Sequence, residues 1–214
     1  MELNTEIEKT CETVEVTNTE QEKTNHSIWL ERSSFRIALI SSFTALTIVL
    51  GYFLIHIPNI ELFTLLIFLS GFTLGKRDGI IVGFLSSFIF CYFNLYGSSP
   101  LPLLIFQLIH YSLTGLLGGS IKSFSQKRIN FKDGEDFYKF SFMVLFGLIG
   151  ALITTNFQII SSIIHVLSFL GTISEFLPYF LSGIAFTAIH IIGNTLGFIF
   201  ILPGLIQLIN KLLN

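Results

Sequence analysis

Hydrophobic positions in this chain do not alternate singly with polar ones. They run in long blocks, separated by short clusters of charge, Pro, Gly or Asn. Six blocks follow one another: about Arg36 to His56, Ile60 to Gly75, Gly79 to Phe93, Leu101 to Gly119, Phe140 to Leu170 and Tyr179 to Leu208. Several approach the roughly 20 residues needed to cross a bilayer. In hydrocarbon a helix satisfies its own backbone polar groups, which an open strand does not. The pattern therefore predicts an all-α protein, an integral membrane bundle of six transmembrane helices. Ile57-Pro58-Asn59 reads as the first connection, since Pro favours an extended residue before it and a helix start after it. Lys76-Arg77-Asp78 reads as a tight turn, and Asn94 to Pro100 as a loop. Spans five and six exceed the required length. Either they tilt, or the segment from Ser161 to Phe176 lies along the membrane surface.

Charge orients the bundle. Lys9, Lys23, Arg32, Arg36, Lys76, Arg77, Lys122, Lys127, Arg128, Lys132, Lys139 and Lys211 are all 12 basic residues, and all fall on one side of the six-span reading. Insertion retains Lys and Arg in cytoplasmic loops. Both termini are thus expected in the cytoplasm, with the protein a multi-pass component of the cell membrane. The opposite side holds Glu61 and Glu175 and no base. A carboxylate or phosphate ligand would normally want Arg or Lys. A pocket open to the outside is therefore expected to take a neutral or cationic molecule.

Composition agrees with a membrane domain. Apolar residues make up 51% of the 214, charged residues only 12%, and mean hydropathy is +0.74; a soluble domain carries about 25% charge. Residues 1–30 differ. Seven glutamates lie within the first 23 residues, among Thr and Asn, with no aromatic residue there. Such a segment buries too little to fold alone and reads as a disordered acidic cytoplasmic tail. It has no apolar signal region, so the first span is expected to direct insertion. Residues 31–214 form the membrane domain.

Polar side chains recur inside the blocks at helical spacing. Gln107, His110, Tyr111 and Thr114 share one face of span four. Thr154, Gln158, Ser161 and His165 share a face of span five, with Asn156 close by. Span six carries Thr187, His190 and Asn194, and span three carries Ser87, Cys91 and Asn94, followed by Tyr96. Facing hydrocarbon, these groups would be unsatisfied. They are expected to face inward, either bonding helix to helix or lining a wet cavity. Asn94, Tyr96, Gln107, His110, Tyr111, Asn156, Gln158 and His165 form the candidate substrate site: aromatic rings to stack on a flat ligand, amides and imidazoles to read its edges. His190 and Asn194 lie deeper and read as structural. Glu61 reads as a solvated carboxylate at a helix start.

Other chemistry finds little support. Cys11 and Cys91 have no metal spacing and no plausible disulfide. Gly71-Phe72-Thr73-Leu74-Gly75-Lys76 falls one residue short of a phosphate-binding loop and is followed by Arg77. No cofactor, metal, catalytic residue or nucleic-acid partner is expected. Gly71, Gly75, Gly79 and Gly83, with Gly115, Gly118 and Gly119, have the spacing of close helix packing in lipid.

Taken with the Ile57-Pro58-Asn59 turn, the glycine unit from Gly71 to Gly83, the Asn94-Leu95-Tyr96-Gly97 loop and the Gly115-Leu116-Leu117-Gly118-Gly119 segment, the chain from Arg36 to Lys211 resembles the substrate-binding S components of energy-coupling factor (ECF) transporters. The resemblance implies capture of a small vitamin-like molecule from outside, at the outer ends of spans four to six and under the first loop. It also implies a membrane T subunit and a pair of ATPase subunits that drive release inside. In that family small residues spaced Ala-x-x-x-Ala on span one meet the T subunit. The matching positions here are Ala38 and Ser42, or Ser41 and Ala45. Two other classes remain open on the sequence: an orphan membrane scaffold or sensor using the acidic tail, and an intramembrane enzyme using His110, His165 or His190 with Ser182, for which no motif speaks.

Overall fold

The computed structural model describes residues 33–57, 60–128 and 137–213. All regular structure among them is helical. The helices are α1 (Ser33–Leu54), α2 (Phe63–Leu74), α3 (Lys76–Tyr92), α4 (Leu101–Arg128), α5 (Phe140–Phe169), α6 (Phe176–Ser182), α7 (Ile184–Leu196) and α8 (Leu202–Leu213). A 3-10 turn, Ile173–Glu175, precedes α6, and a π-helical segment, Gly197–Ile201, joins α7 to α8. The acidic tail, Pro58 and Asn59, and most of the basic loop between α4 and α5 lie outside the described residues.

Side-chain contacts define two ends of the bundle. At one end Arg36 of α1 makes a two-point ion pair with Asp78 of α3, at 2.5 and 2.6 Å, and Lys122 donates to the Thr73 carbonyl at 3.2 Å. At the other end the Tyr52 hydroxyl donates to the Phe93 carbonyl at 3.0 Å, and the Tyr96 hydroxyl lies 3.3 Å from His56 Nδ1. Successive helices therefore run back and forth between a Lys76 end and a Glu61 end.

Four helical stretches are long and apolar enough to cross a membrane: Ser33–Leu54, Leu101–Ser125, Phe140–Phe169 and Ile184–Leu212. The passes read as spans two and three are shorter. α2 has 12 residues, about 18 Å at 1.5 Å per residue, against a hydrocarbon thickness of about 30 Å. Every residue of α2 from Phe63 to Thr73 is buried. Its sequence is apolar all round, as a helix surrounded by other helices requires. α2 is the axis of the fold.

Glycine permits that position. A Cβ on Gly71 of α2 would overlap the Gly115 carbonyl oxygen of α4, and one on Gly115 would overlap the Gly79 carbonyl of α3. Gly118 packs in the same way on the Phe68 carbonyl. The three backbones touch where any side chain would hold them apart, which replaces the missing hydrophobic drive between helices in lipid. Phe68, Phe72, Phe146 and Phe198 fill the layer between α2, α5 and the α7–α8 run, with ring centroids 5.3 to 6.4 Å apart.

Two sequence expectations change, at Lys76 and in span six, and the open choice in span five is settled as a continuous helix. Lys76-Arg77-Asp78 is not a turn but the first turn of α3. Gly75 alone breaks the chain, at φ +104°, which side-chain-bearing residues rarely adopt. The segment from Ser161 to Phe169 continues α5 as one 30-residue helix, and only then does the chain turn through Gly171 at φ +77°. Span six is not one regular helix. It is interrupted at Gly183 and passes through the π segment.

Candidate functional site

Glu61 lies just before α2, and three donors converge on its Oε1. Thr64, in the first turn of α2, donates at 2.6 Å. His190 Nε2 of α7 lies at 3.1 Å, and Asn194 Nδ2, one helical turn further on, at 3.4 Å. Asn194 Nδ2 also donates to Thr154 Oγ1 of α5 at 2.9 Å, and Thr154 passes its own proton to the Gly150 carbonyl. Gln158 Nε2, again on α5, lies 2.8 Å from His190 Nδ1. An amide nitrogen has only protons to offer, so Nδ1 accepts and Nε2 carries the hydrogen presented to Glu61. The i, i+4 spacings of Thr154 with Gln158 and of His190 with Asn194 aim both pairs at the same carboxylate.

Beside this network a cavity of about 190 Å³ is lined by Gly51, Leu54 and Ile55 of α1 and its end, Phe63 of α2, Phe90 of α3, and Glu61 with His190. Phe63 and Phe90 are its aromatic lining, beside aliphatic Leu54, Ile55, Ile57 and Ile60, and they belong to a larger aromatic cluster. Phe63 and Phe90 stand 4.8 Å apart, Tyr52 packs on Phe90 at 5.1 Å, and Tyr111 of α4 meets Phe63 edge-on at 4.9 Å. Phe157 of α5 extends the cluster, 5.7 Å from Tyr111 and 5.1 Å from His110. Gly51 packs closely here: a Cβ would stand 3.0 to 3.1 Å from the Phe90 and Phe63 rings, which would have to give way by a few tenths of an ångström.

The sequence-derived candidates divide by position. His110 and Tyr111 are buried in the aromatic cluster. Gln107 lies one turn from them; its Oε1 and His110 Nε2 are buried with no hydrogen-bond partner. Such groups cost free energy unless something arrives to bond them. Asn156 is exposed on α5. Gln158 belongs to the Glu61 network. Asn94 is half-buried, and its Oδ1 accepts the Tyr96 backbone N–H at 2.9 Å, shaping the loop. Tyr96 is 73% exposed and bridges that loop to His56. His165 stacks on Tyr179 at 5.0 Å and on Phe169 at 4.6 Å, two turns beyond Gln158. Thr114, Ser87 and Ser161 donate to carbonyls of their own helices.

Glu61 is not a solvated carboxylate: with His190 and Asn194 it forms a hydrogen-bonded hub, and the latter two join helices as a deep structural pair does. On α1, Ala38, Ser41, Ser42 and Ala45 are all exposed. No group of three or more metal-ligating side chains occurs among the described residues.

A multi-pass helical bundle with a cavity and a polar hub at one end can hold a small molecule between its helices. Residues 32–185, well over half of the chain, match the family model of the ECF-type riboflavin transporter, S component, and the chain belongs to that family. It is a transporter substrate-binding subunit. The match includes Glu61, Thr64, Thr154 and Gln158 and ends before His190. No curated protein and no solved structure matches the chain.

Proposed function

We propose that this chain captures riboflavin from outside the cell and passes it inward when joined to a T subunit and two ATPases. The observation that carries this reading is the cavity beside Glu61, lined by Phe63, Phe90 and aliphatic side chains; the unpartnered Gln107 Oε1 and His110 Nε2 lie outside that lining, on α4. Riboflavin is a neutral, flat, three-ring heterocycle with an imide edge and a polyol chain. Phe63 and Phe90 offer aromatic surface for the ring, and Tyr111 backs Phe63 from behind. The volume suits the ring rather than the whole ligand, so the polyol extends toward the rim at His56 and Tyr96. The absence of Lys and Arg near the cavity suits a ligand without phosphate.

In this reading all six passes are membrane elements, with the short α2 sheltered by its neighbours and α3 turning Ile80, Ile81, Phe84, Leu85 and Phe88 outward. The Glu61 end faces outward, because Lys76, Arg77, Lys122, Lys139 and Lys211 belong to the opposite end. On this proposal Asn94, Tyr96, Asn156 and His165 meet the ligand on its way in, and Gln107, His110, Tyr111 and Gln158 reach it from α4 and α5, beyond the cavity's own lining. The exposed small residues Ala38, Ser41, Ser42 and Ala45 let a T-subunit helix approach the α1 backbone closely. Reconstitution tests the function: vesicles holding this chain with its T subunit and ATPases should accumulate riboflavin when supplied with ATP. Equal accumulation without ATP, or none with it, contradicts the proposal.

A further inference from the structure

Glu61 makes its hydrogen bonds with one oxygen. Thr64 Oγ1, His190 Nε2 and Asn194 Nδ2 all address Oε1. The side chain is 23% exposed and lines the cavity between Phe63, Phe90 and His190. A carboxylate has two oxygens and about four acceptor sites. Here one oxygen is anchored to α2 and α7, which leaves the other for whatever occupies the cavity.

We infer that Glu61 Oε2 is the specificity-determining acceptor of this site, bonding a ring N–H of the bound heterocycle; this rests on the flavin reading above. A flat ring lying against Phe63 and Phe90 brings its polar edge, not its face, to Glu61. The imide of riboflavin supplies one N–H on that edge. A charged acceptor in an apolar cavity makes a stronger bond than a neutral one. It also disfavours an anionic group beside it, so the same residue rejects ring systems that ionise at this edge.

The anchoring makes Glu61→Gln an informative change. Three donors hold the amide oxygen at the Oε1 position, which forces the amide NH₂ into the cavity. A ring N–H would then meet a donor instead of an acceptor. The shape and all three anchoring bonds are kept.

The experiment measures riboflavin and N3-methylriboflavin binding to the purified full chain in detergent, by quenching of flavin fluorescence, for wild type and E61Q. Wild type should prefer riboflavin by about 10- to 100-fold, the range expected for a hydrogen bond to a charged group. In E61Q riboflavin should weaken by a similar factor and the preference should vanish. Size-exclusion elution and thermal unfolding monitor the fold of the variant. If E61Q does not fold, the wild-type comparison decides alone, and equal affinity for the two flavins overturns the inference. An unchanged preference in folded E61Q overturns it as well, while leaving the flavin reading standing. If wild type binds neither flavin, the flavin reading falls and the assignment of Glu61 falls with it.

Discussion

Gln107 Oε1 and His110 Nε2 sit one helical turn apart on α4, buried and unbonded. A ligand that bonds Gln107 gains more than it would in water, since no solvent competes there. Gln107→Ala should therefore weaken riboflavin binding by about 5- to 150-fold, the equivalent of roughly 1–3 kcal/mol, with the melting temperature of the unliganded chain unchanged or raised. Titration of both proteins in the same detergent checks this. Unchanged affinity would remove Gln107 from the site. The candidates on α4 were legible because Gln107, His110, Tyr111 and Thr114 repeat at three and four residues. Glu61 was not. Its partners His190 and Asn194 lie 129 and 133 residues away in sequence, and no spacing rule reaches so far. A lone carboxylate after a Pro-Asn turn reads as a helix start. Asn94 stands in a loop, where its Oδ1 closes an Asx turn and its Nδ2 makes no such bond.

The helices themselves were largely legible because long apolar blocks in this composition have one stable solution. Their interruptions were less so. Gly75 ends α2 by its φ, whereas Gly79, four residues later, sits inside α3 against Gly115. Both are glycines in the same periodic series, and only tertiary contact separates them. The π segment Gly197–Ile201 has no sequence signature, although it follows directly on the helix that aims His190 and Asn194 at Glu61. α1 offers the clearest test of an element. Its face of Ala38, Ser41, Ser42 and Ala45 is exposed, while Phe43, Thr44 and Thr47 are buried. Leu at both Ala38 and Ser42 should abolish ATP-driven uptake in the reconstituted complex yet leave riboflavin affinity of the isolated chain within about twofold. Equal loss of both would place that face in the protein's own structure, not at a partner.

Orientation belongs to the molecule as a whole. The basic residues described at the Lys76 end stand opposite the loop from Asn94 to Pro100, so one labelling experiment reads every pass at once. A cysteine at exposed Ser98 should react with an impermeant thiol reagent in intact cells, and one at exposed Lys76 should react only after lysis. Cys91 is buried and should stay silent, and both new cysteines are introduced together with Cys11→Ser, so that the tail thiol gives no signal after lysis. The reverse pattern would turn the Glu61 cavity toward the cytoplasm. Charge alone made this expectation legible, since the polarity of a bundle is written in its loops and not in its core.

The cavity beside Glu61 is the centre of the account, and direct titration of the purified chain with riboflavin tests it most simply. Stoichiometric binding with a dissociation constant of about 1 μM or tighter, corresponding to about −8 kcal/mol, is predicted, with the flavin fluorescence quenched by the surrounding aromatic rings. A folded, monodisperse chain that leaves riboflavin free and fluorescent at tens of micromolar would contradict it.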